Sequence, residues 1–408
     1  MMRTRTIIAL ALGYALLGIL MNSVGVVILQ SIRHFDATKP MGSTLEACKD
    51  LSVVAASFLL ATRIPAFGYR RTLMAVMAAM ALACVAASFA NAFAAMQLLF
   101  VATGLSFGAA KVATYAAIGL VARDADDHAA VTGQIEGVFM IGLLAGVWLF
   151  GAFVARDADG GSWLGVYRVL AAGFALVALA WLAVPLDERG ATAPEAARAG
   201  WRQMATLAAL PVTIAVLAAL FLYVLIEQGV GSWLPTFNNE VLRLPPAMSV
   251  EMSSIYVGAL AFGRFASAPL FRRFGWLAVL LGCVTGAAAL MAVALPLARG
   301  VDASAARGWA DAPPAAFLFP LIGVMLAPIY PTICSVALSG LAQGRQAALM
   351  GLIVIFSALG GTLGSLIVSL MFQHAPGRYV FYILLLPLAL IGAILPVIRR
   401  RQAREVAA

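Results

Sequence analysis

Charged residues are scarce in this 408-residue chain and make up only 11% of it. Hydrophobic residues reach 63%, and the mean hydropathy is +0.98. That much apolar surface exceeds what a soluble domain can bury, so the composition excludes a soluble enzyme or binding module. It indicates a protein with many membrane-spanning segments.

Cysteine and histidine are rare too, with four and three residues respectively. No CxxC or Cys/His spacing suits zinc or a redox pair, so we interpret the cysteines as free thiols and expect neither a metal site nor a cofactor. The histidines fall in loops, and neither an HExxH motif nor a phosphate-binding GxxxxGK[ST] loop occurs. We therefore expect neither an enzyme nor an ATP-driven pump.

The net charge of +9 does not indicate a nucleic-acid partner, because the basic residues are scattered over loop ends. Most of them fall on one side of the membrane when both termini are placed there, including Arg399, Arg400 and Arg401 after the last span. Cytoplasmic loops carry such an excess of Arg and Lys. This predicts cytoplasmic N and C termini in a bacterial-type inner (plasma) membrane, with the lipid bilayer as a partner.

The hydrophobic residues divide into twelve stretches of about the 20 residues that a membrane-spanning helix needs. None alternates like a barrel strand, and in lipid a helix satisfies its own backbone hydrogen bonds. The first stretch is too long, and too polar at Asn22, for a cleavable signal peptide. We predict an all-α membrane protein with spans at residues 6–29, 43–62, 72–91, 93–121, 130–154, 166–185, 205–237, 249–270, 276–297, 315–339, 347–372 and 379–397.

One charged break, residues 187–204, separates six spans from six and is predicted to be a cytoplasmic linker between bundles at residues 1–186 and 205–408. The two bundles share short sequences. Phe67-Gly68 follows the second span and Phe274-Gly275 the eighth, while residues 22–25 loosely match residues 228–231. Two parallel six-helix halves are the architecture of the major facilitator superfamily, which is the predicted fold.

Motifs in the C-terminal half resemble the fucose/proton symporter branch of that superfamily: Gly263-Arg264-Phe265, Tyr330-Pro331-Thr332-Ile333 and Gly360-Gly361. The resemblance implies a central cavity lined by spans 1, 2, 4, 5, 7, 8, 10 and 11. It also implies acids on the first and fourth spans, for coupling and sugar recognition. Those positions hold Gly25 and Ala109 here, with Lys111 two residues later, which favours an anionic solute over a sugar.

Charges lie inside several of the spans, where each costs about 2.5–3.5 kcal/mol on insertion scales. Such residues face a cavity, pair with one another, or handle a substrate. All of those found at mid-span lie on spans that the resemblance places at the cavity, which points to transport. They are Glu46, Lys49, Asp50, Lys111, Glu136, Glu227 and Arg264.

Lys111 follows Gly104 and Gly108 and precedes Tyr115 on one helical face. In one interpretation the glycines let a neighbouring helix approach, and Lys111 forms a structural pair with Glu136. In another, Lys111 faces the cavity and attracts an anionic or polyhydroxylated solute, with Glu136 setting its charge. In a third, the lysine extends to the membrane interface.

Glu46, Lys49 and Asp50 share a helix face near the predicted outer end of the second span. This arrangement fits either a hydrated helix end or a proton-accepting cluster, in which Asp50 is the preferred residue. Glu227 is the single mid-span acid of the seventh span. Its neighbours Gly229 and Gly231 are expected to loosen the helix there.

A buried carboxylate suits a proton carrier because burial disfavours its charged form. The candidate proton-coupling residues are therefore Glu227, Glu136 and Asp50. The candidate solute-binding residues are Lys111, Glu136, Asn22, Tyr223, Gln228, Tyr330 and Arg264, although Arg264 could instead clamp its helix. The candidate gating residues, which could equally anchor the topology, are Arg70, Arg71, Arg272 and Arg273.

The sequence thus predicts a monomeric secondary active transporter that moves a small polar, anionic solute by alternating access and is coupled to protons. The alternatives are an exporter of a carboxylate-rich metabolite or siderophore, and a drug/proton antiporter. The antiporter is disfavoured because the fifth span has no Gly-Pro signature: no proline lies among Gly137, Gly142, Gly146 and Gly151.

Overall fold

The computed structural model describes residues 2–59, 63–122, 125–157, 162–184, 186, 188, 201–339 and 343–407. These residues are helical without any strand, and ten of their helices are long and apolar enough to cross a membrane. Contacts divide the chain into Met1–Ala37 with Leu45–Arg198, and Thr38–Thr44 with Ala199–Ala408. The predicted all-α membrane fold is confirmed. Of the predicted linker, residues 187 and 189–200 lie outside the described part.

The first half of the chain contains eight α-helices in its described residues. The predicted first span is broken at Asn22 and Ser23, whereas the fourth has the predicted bounds. The second span begins at Lys39, because a proline is tolerated in a first helical turn and Pro40 occupies that turn. The helices are α1 (Met2–Met21), α2 (Val24–His34), α3 (Lys39–Leu59), α4 (Ile64–Phe67), α5 (Tyr69–Phe89), α6 (Phe93–Val121), α7 (Ala125–Ala155) and α8 (Val166–Ala183).

The second half is more interrupted. The predicted eighth span is divided at Ser253, and the tenth contains a 3-10 turn over Phe319–Leu321. The helices are α9 (Trp201–Ala208), α10 (Pro211–Glu240), α11 (Pro246–Met252), α12 (Ser254–Ala266), α13 (Ala268–Ala294), α14 (Pro314–Leu318), α15 (Ile322–Leu326), α16 (Ile329–Ser339), α17 (Gln343–His374) and α18 (Leu385–Ala407). The second and eighth spans are not among the ten apolar helices. Any stretch of α3 long enough to cross a membrane contains at least three charged residues, and the eighth span is divided into shorter helices.

Glycines let pairs of helix backbones touch within the N-terminal unit. A Cβ on Gly142 of α7 would lie 2.4 Å from the carbonyl oxygen of Ala15 in α1, and Gly146 meets Ile19 one turn on. Gly104 of α6 approaches α3 in the same way, with a Cβ placed 2.2 Å from a backbone oxygen. The first span therefore packs on the fifth, and the second on the fourth.

The C-terminal unit repeats both contacts. Gly360 and Gly364 of α17 meet Phe221 and Leu225 of α10, where added Cβ atoms would lie 2.4 and 2.2 Å from backbone oxygens. These α10 residues lie seven and three positions before residue 228, as the contacted α1 residues do before residue 22. Gly263 of the eighth span likewise meets the tenth, 2.4 Å from a backbone oxygen. Both units thus use glycines between corresponding spans.

The two matched Phe-Gly pairs also share a backbone conformation. Gly68 has φ 98° and ψ 137°, and Gly275 has φ 74° and ψ 161°. Only glycine adopts this region readily, because any Cβ would clash with the backbone. The sequence match therefore marks the same sharp turn in each half.

Candidate functional site

A carboxylate held by tyrosines lies in the N-terminal unit. The Tyr115 hydroxyl of α6 donates a hydrogen bond to Glu136 Oε1 of α7, and Tyr14 of α1 lies close enough to interact with both. The glycine contact between α1 and α7 brings Tyr14 there, 4.9 Å from the Phe139 ring. Three helices thus converge on Glu136.

Lys111 lies one helical turn before Tyr115 on the same face of α6 and is exposed. Among the described residues it forms no ion pair, and its nearest recorded partner is the Phe107 ring, 6.0 Å from Nζ. Gly133 and Gly137 of α7, on the helix of Glu136, are exposed and have no atom within 4 Å of an added Cβ. The structural pair of Lys111 with Glu136 is not formed.

Gly104 and Gly108 do form the expected packing contact, but with α3. The segment 104–108 has the GxSxG spacing of a hydrolase nucleophile, although Ser106 is buried inside a continuous helix. That motif requires a strand, a sharp turn and a helix, so the spacing carries no chemistry here.

A second tyrosine-held carboxylate lies in the C-terminal unit. The Tyr223 hydroxyl donates to Glu227 Oε1 at 2.9 Å, and the Tyr256 hydroxyl of α12 donates to the Glu227 backbone oxygen at 3.1 Å. The Tyr330 ring lies 5.7 Å from that of Tyr223, and the Tyr330 hydroxyl oxygen accepts a 3.5 Å hydrogen bond from the Ser357 hydroxyl. Each unit therefore holds one intramembrane acid among tyrosines from neighbouring helices.

The glycines after Glu227 do not loosen α10, which is a continuous helix from Pro211 to Glu240. Added Cβ atoms on Gly229 and Gly231 would lie 3.2 Å from Val368 and 3.3 Å from the Tyr256 ring. The small residues therefore admit neighbouring side chains, and that part of the prediction is wrong.

The other solute-binding candidates differ in their surroundings. Arg264 is exposed in the last turn of α12, and its charge acts on Tyr223 and Tyr256. Gln228 is half-buried beside Glu227. Asn22 donates to the backbone oxygen of Leu143 in α7 at 3.1 Å, so it joins two helices at the break between α1 and α2.

The predicted hydrated end of the second span is not observed. Lys49 Nζ donates to Glu46 and lies 3.4 Å from Asp50 Oδ1, and the exposed fractions of these side chains are 4%, 0% and 12%. Lys49 is the middle residue of α3, about 15 Å from either end at 1.5 Å per residue. The three side chains form a buried ion cluster, the α3 triad.

In the basic pair after the second span, Arg70 and Arg71, the first residue makes structural contacts. Arg70 donates to the backbone oxygens of Trp181 at 3.0 Å and Leu182 at 2.8 Å, at the C-terminus of α8. Glu188 in turn accepts the backbone N–H groups of Tyr69 and Arg70 at the N-terminus of α5. Opposite charges thus stabilise opposite helix ends.

The remaining gating candidates make fewer contacts. Arg71 and Arg272 are exposed, and the Arg273 guanidinium lies 5.2 Å from the Phe274 ring centroid. No gating role is tested by these contacts, so gating stays a prediction for Arg70, Arg71, Arg272 and Arg273.

Tyr14, Tyr256 and Ser357 are site residues that the sequence analysis missed. Tyrosines are common in apolar spans. In the sequence, such a tyrosine indicates only that its hydroxyl needs a hydrogen-bond partner when it is buried. The pairing depends on which helices touch, which the glycine contacts determine.

Solved structures that are similar in fold to this chain include transporters. A bacterial homologue of the human lysosomal transporter Spinster, inward-facing and occupied, superposes with a TM-score of 0.79 at 15% identity, over 99% of this chain and 98% of that one. Its unoccupied form gives a TM-score of 0.76 at 15% identity, over 99% and 98% of the two chains. A variant of the nucleoside transporter NupG gives 0.71 at 13% identity, over 98% and 100%. No curated protein matches the sequence.

The apolar helices of the described residues define a multi-pass membrane protein. The family profile of the Major Facilitator Superfamily matches residues 10–339. The chain belongs to this superfamily, and its function is secondary transport of a solute.

Proposed function

We propose that the protein moves a small polar, anionic solute across the inner membrane by alternating access, in symport with protons. It works as a monomer with both termini in the cytoplasm. The motifs shared with the fucose/proton symporter branch support proton coupling, and membership of that branch stays a prediction. The absent acids at Gly25 and Ala109 support an anion in place of a sugar.

The exposed ammonium of Lys111 is the observation that carries the proposal. An unpaired intramembrane cation is costly unless a cavity or a ligand receives it. Tyr115 lies one turn from it and donates to Glu136, and the exposed Gly133 and Gly137 of the same helix as Glu136 have no atom within 4 Å of an added Cβ. This arrangement suits a ligand with a negative group for Lys111 and hydroxyl groups for the tyrosine and the acid.

Lys111→Gln is expected to weaken binding of an anionic solute by about 10- to 100-fold, because a charge-assisted hydrogen bond contributes about 1.5–3 kcal/mol. The measurement is a thermal-shift titration of purified protein with acetate, succinate, citrate, glycerol phosphate and inorganic phosphate. Lys111→Arg, which keeps the charge, is the matched control. Two results would contradict the proposal. In one, every anion stabilises wild type and Lys111→Gln equally; in the other, no anion stabilises either protein.

Glu227→Gln is expected to abolish the response of transport to an imposed pH gradient while leaving anion binding within twofold. The amide resembles the protonated acid in shape but cannot release a proton. Uptake of the anion found by thermal shift is measured in proteoliposomes with and without the gradient. Glu251→Gln, near the end of α11 and 3.5 Å from the Trp309 indole nitrogen, is the control. Gradient-driven uptake that survives in Glu227→Gln excludes this residue from coupling.

A further inference from the structure

The α3 triad has two acids and one base, so its formal charge is −1 when all three groups are ionised. The charges acting on Lys49 are those of Glu46 and Asp50, and those acting on Asp50 are Lys49 and Glu46. Two acids therefore share one ammonium. A buried carboxylate that is poorly compensated is unfavourable, which favours the uptake of one cation.

Helix α6, which packs on α3 through its glycines, places no charged group beside Lys49 or Asp50. Gly104 of α6 meets the backbone oxygen of Lys49, and Gly108 meets Ala56 and Val53 further along. The ionisable groups of α6 are Lys111 and Tyr115, about two and three turns beyond Gly104. Neither Lys49 nor Asp50 is acted on by them.

The two acids are not equivalent. Glu46 accepts the hydrogen bond of Lys49 and its side chain is fully buried, which favours a fixed ion pair. Asp50 lies 3.4 Å from the same ammonium, outside good hydrogen-bond distance for a charge-assisted contact, and its side chain keeps 12% exposure. Asp50 is thus the acid with both the weaker partner and the access.

We propose that the α3 triad is a one-proton site in which Lys49 and Glu46 remain ionised and Asp50 takes up and releases the proton. Protonation at Asp50 Oδ forms one O–H bond and brings the formal charge of the triad to zero. The role of the triad in coupling rests on the proposed function. Its uptake of a proton does not depend on that function.

The test is pH-difference infrared spectroscopy of the purified full-length protein in lipid. Lowering the pH is expected to produce one carbonyl stretching band of a protonated buried carboxyl group, which shifts in D2O. Asp50→Asn should lose that band. Glu46→Gln should retain it but only at lower pH, because Lys49 is then paired with Asp50 alone. A band lost in Glu46→Gln and kept in Asp50→Asn, or unaffected by either substitution, overturns the assignment.

Two further measurements separate the site from its use. Sodium chloride that removes the band at fixed pH, when potassium chloride does not, would show a metal-cation site and overturn the one-proton proposal. Gradient-driven anion uptake should fall at least tenfold in Asp50→Asn, and it should fall less in Glu46→Gln, which keeps the titrating acid. If the infrared band belongs to Asp50 but uptake is unchanged in Asp50→Asn, the triad titrates without coupling transport. That result overturns only the coupling role of the triad and leaves the proposal for Glu227 intact.

Discussion

Lys49→Met is expected to lower the free energy of unfolding by about 3–5 kcal/mol, because it leaves the buried carboxylates of Glu46 and Asp50 without their cation. The methionine fills most of the volume of the lysine stem, so lost packing is a small part of the effect. The measurement is equilibrium unfolding in mixed micelles at neutral pH. Unfolding has to be reversible for the free energies to be compared.

Lys111→Met is the matched control, since it makes the same change at an exposed lysine without an ion pair among the described residues. It should alter stability by less than about 0.5 kcal/mol. The double variant Lys49→Met with Glu46→Gln should recover part of the loss, because one of the two unpaired acids is then neutral. Equal losses at the two lysines would mean that the α3 cluster is not formed.

Composition alone predicted the all-α membrane fold, because no other structure hides so much apolar surface and satisfies its backbone in lipid. The second span shows what composition could not determine. Its predicted start at residue 43 placed Glu46 in the first turn, whereas the helix begins at Lys39 and buries that acid near its centre. Polar and charged residues at the start of a helix resemble loop residues in a hydropathy pattern. The start of the span was therefore predicted too late, and Glu46 was assigned to the end of the helix.

The sequence selected the residues of the candidate site one by one but not their contacts. The insertion cost of charges selected Lys111, Glu136 and Glu227 without any alignment, since such residues are rare in spans. It could not select the partner of Glu136, which is Tyr115 and not Lys111. Residues at helical spacing share a face, but sequence does not determine which neighbouring helix meets that face.

Gly364→Ala is expected to destabilise the C-terminal unit by about 1–3 kcal/mol or more, the cost of overpacking a close contact. The added Cβ would lie 2.2 Å from the backbone oxygen of Leu225, and a backbone atom of α10 cannot move aside as a flexible side chain would. The measurement is the same unfolding titration, with the slope checked to confirm that the same surface is exposed.

Gly282→Ala on α13 is the matched control, because its Cβ would meet no atom within 4 Å and glycine-to-alanine changes favour a helix where space allows. It should leave stability unchanged or raise it slightly. Gly142→Ala should behave like Gly364→Ala, since its Cβ would lie 2.4 Å from the oxygen of Ala15 at the corresponding contact of the first and fifth spans. A loss of stability in Gly364→Ala with none in Gly142→Ala would contradict this expectation. The two halves would then share the sequence pattern and the helix order, but only the C-terminal half would have the close backbone contact between its helices.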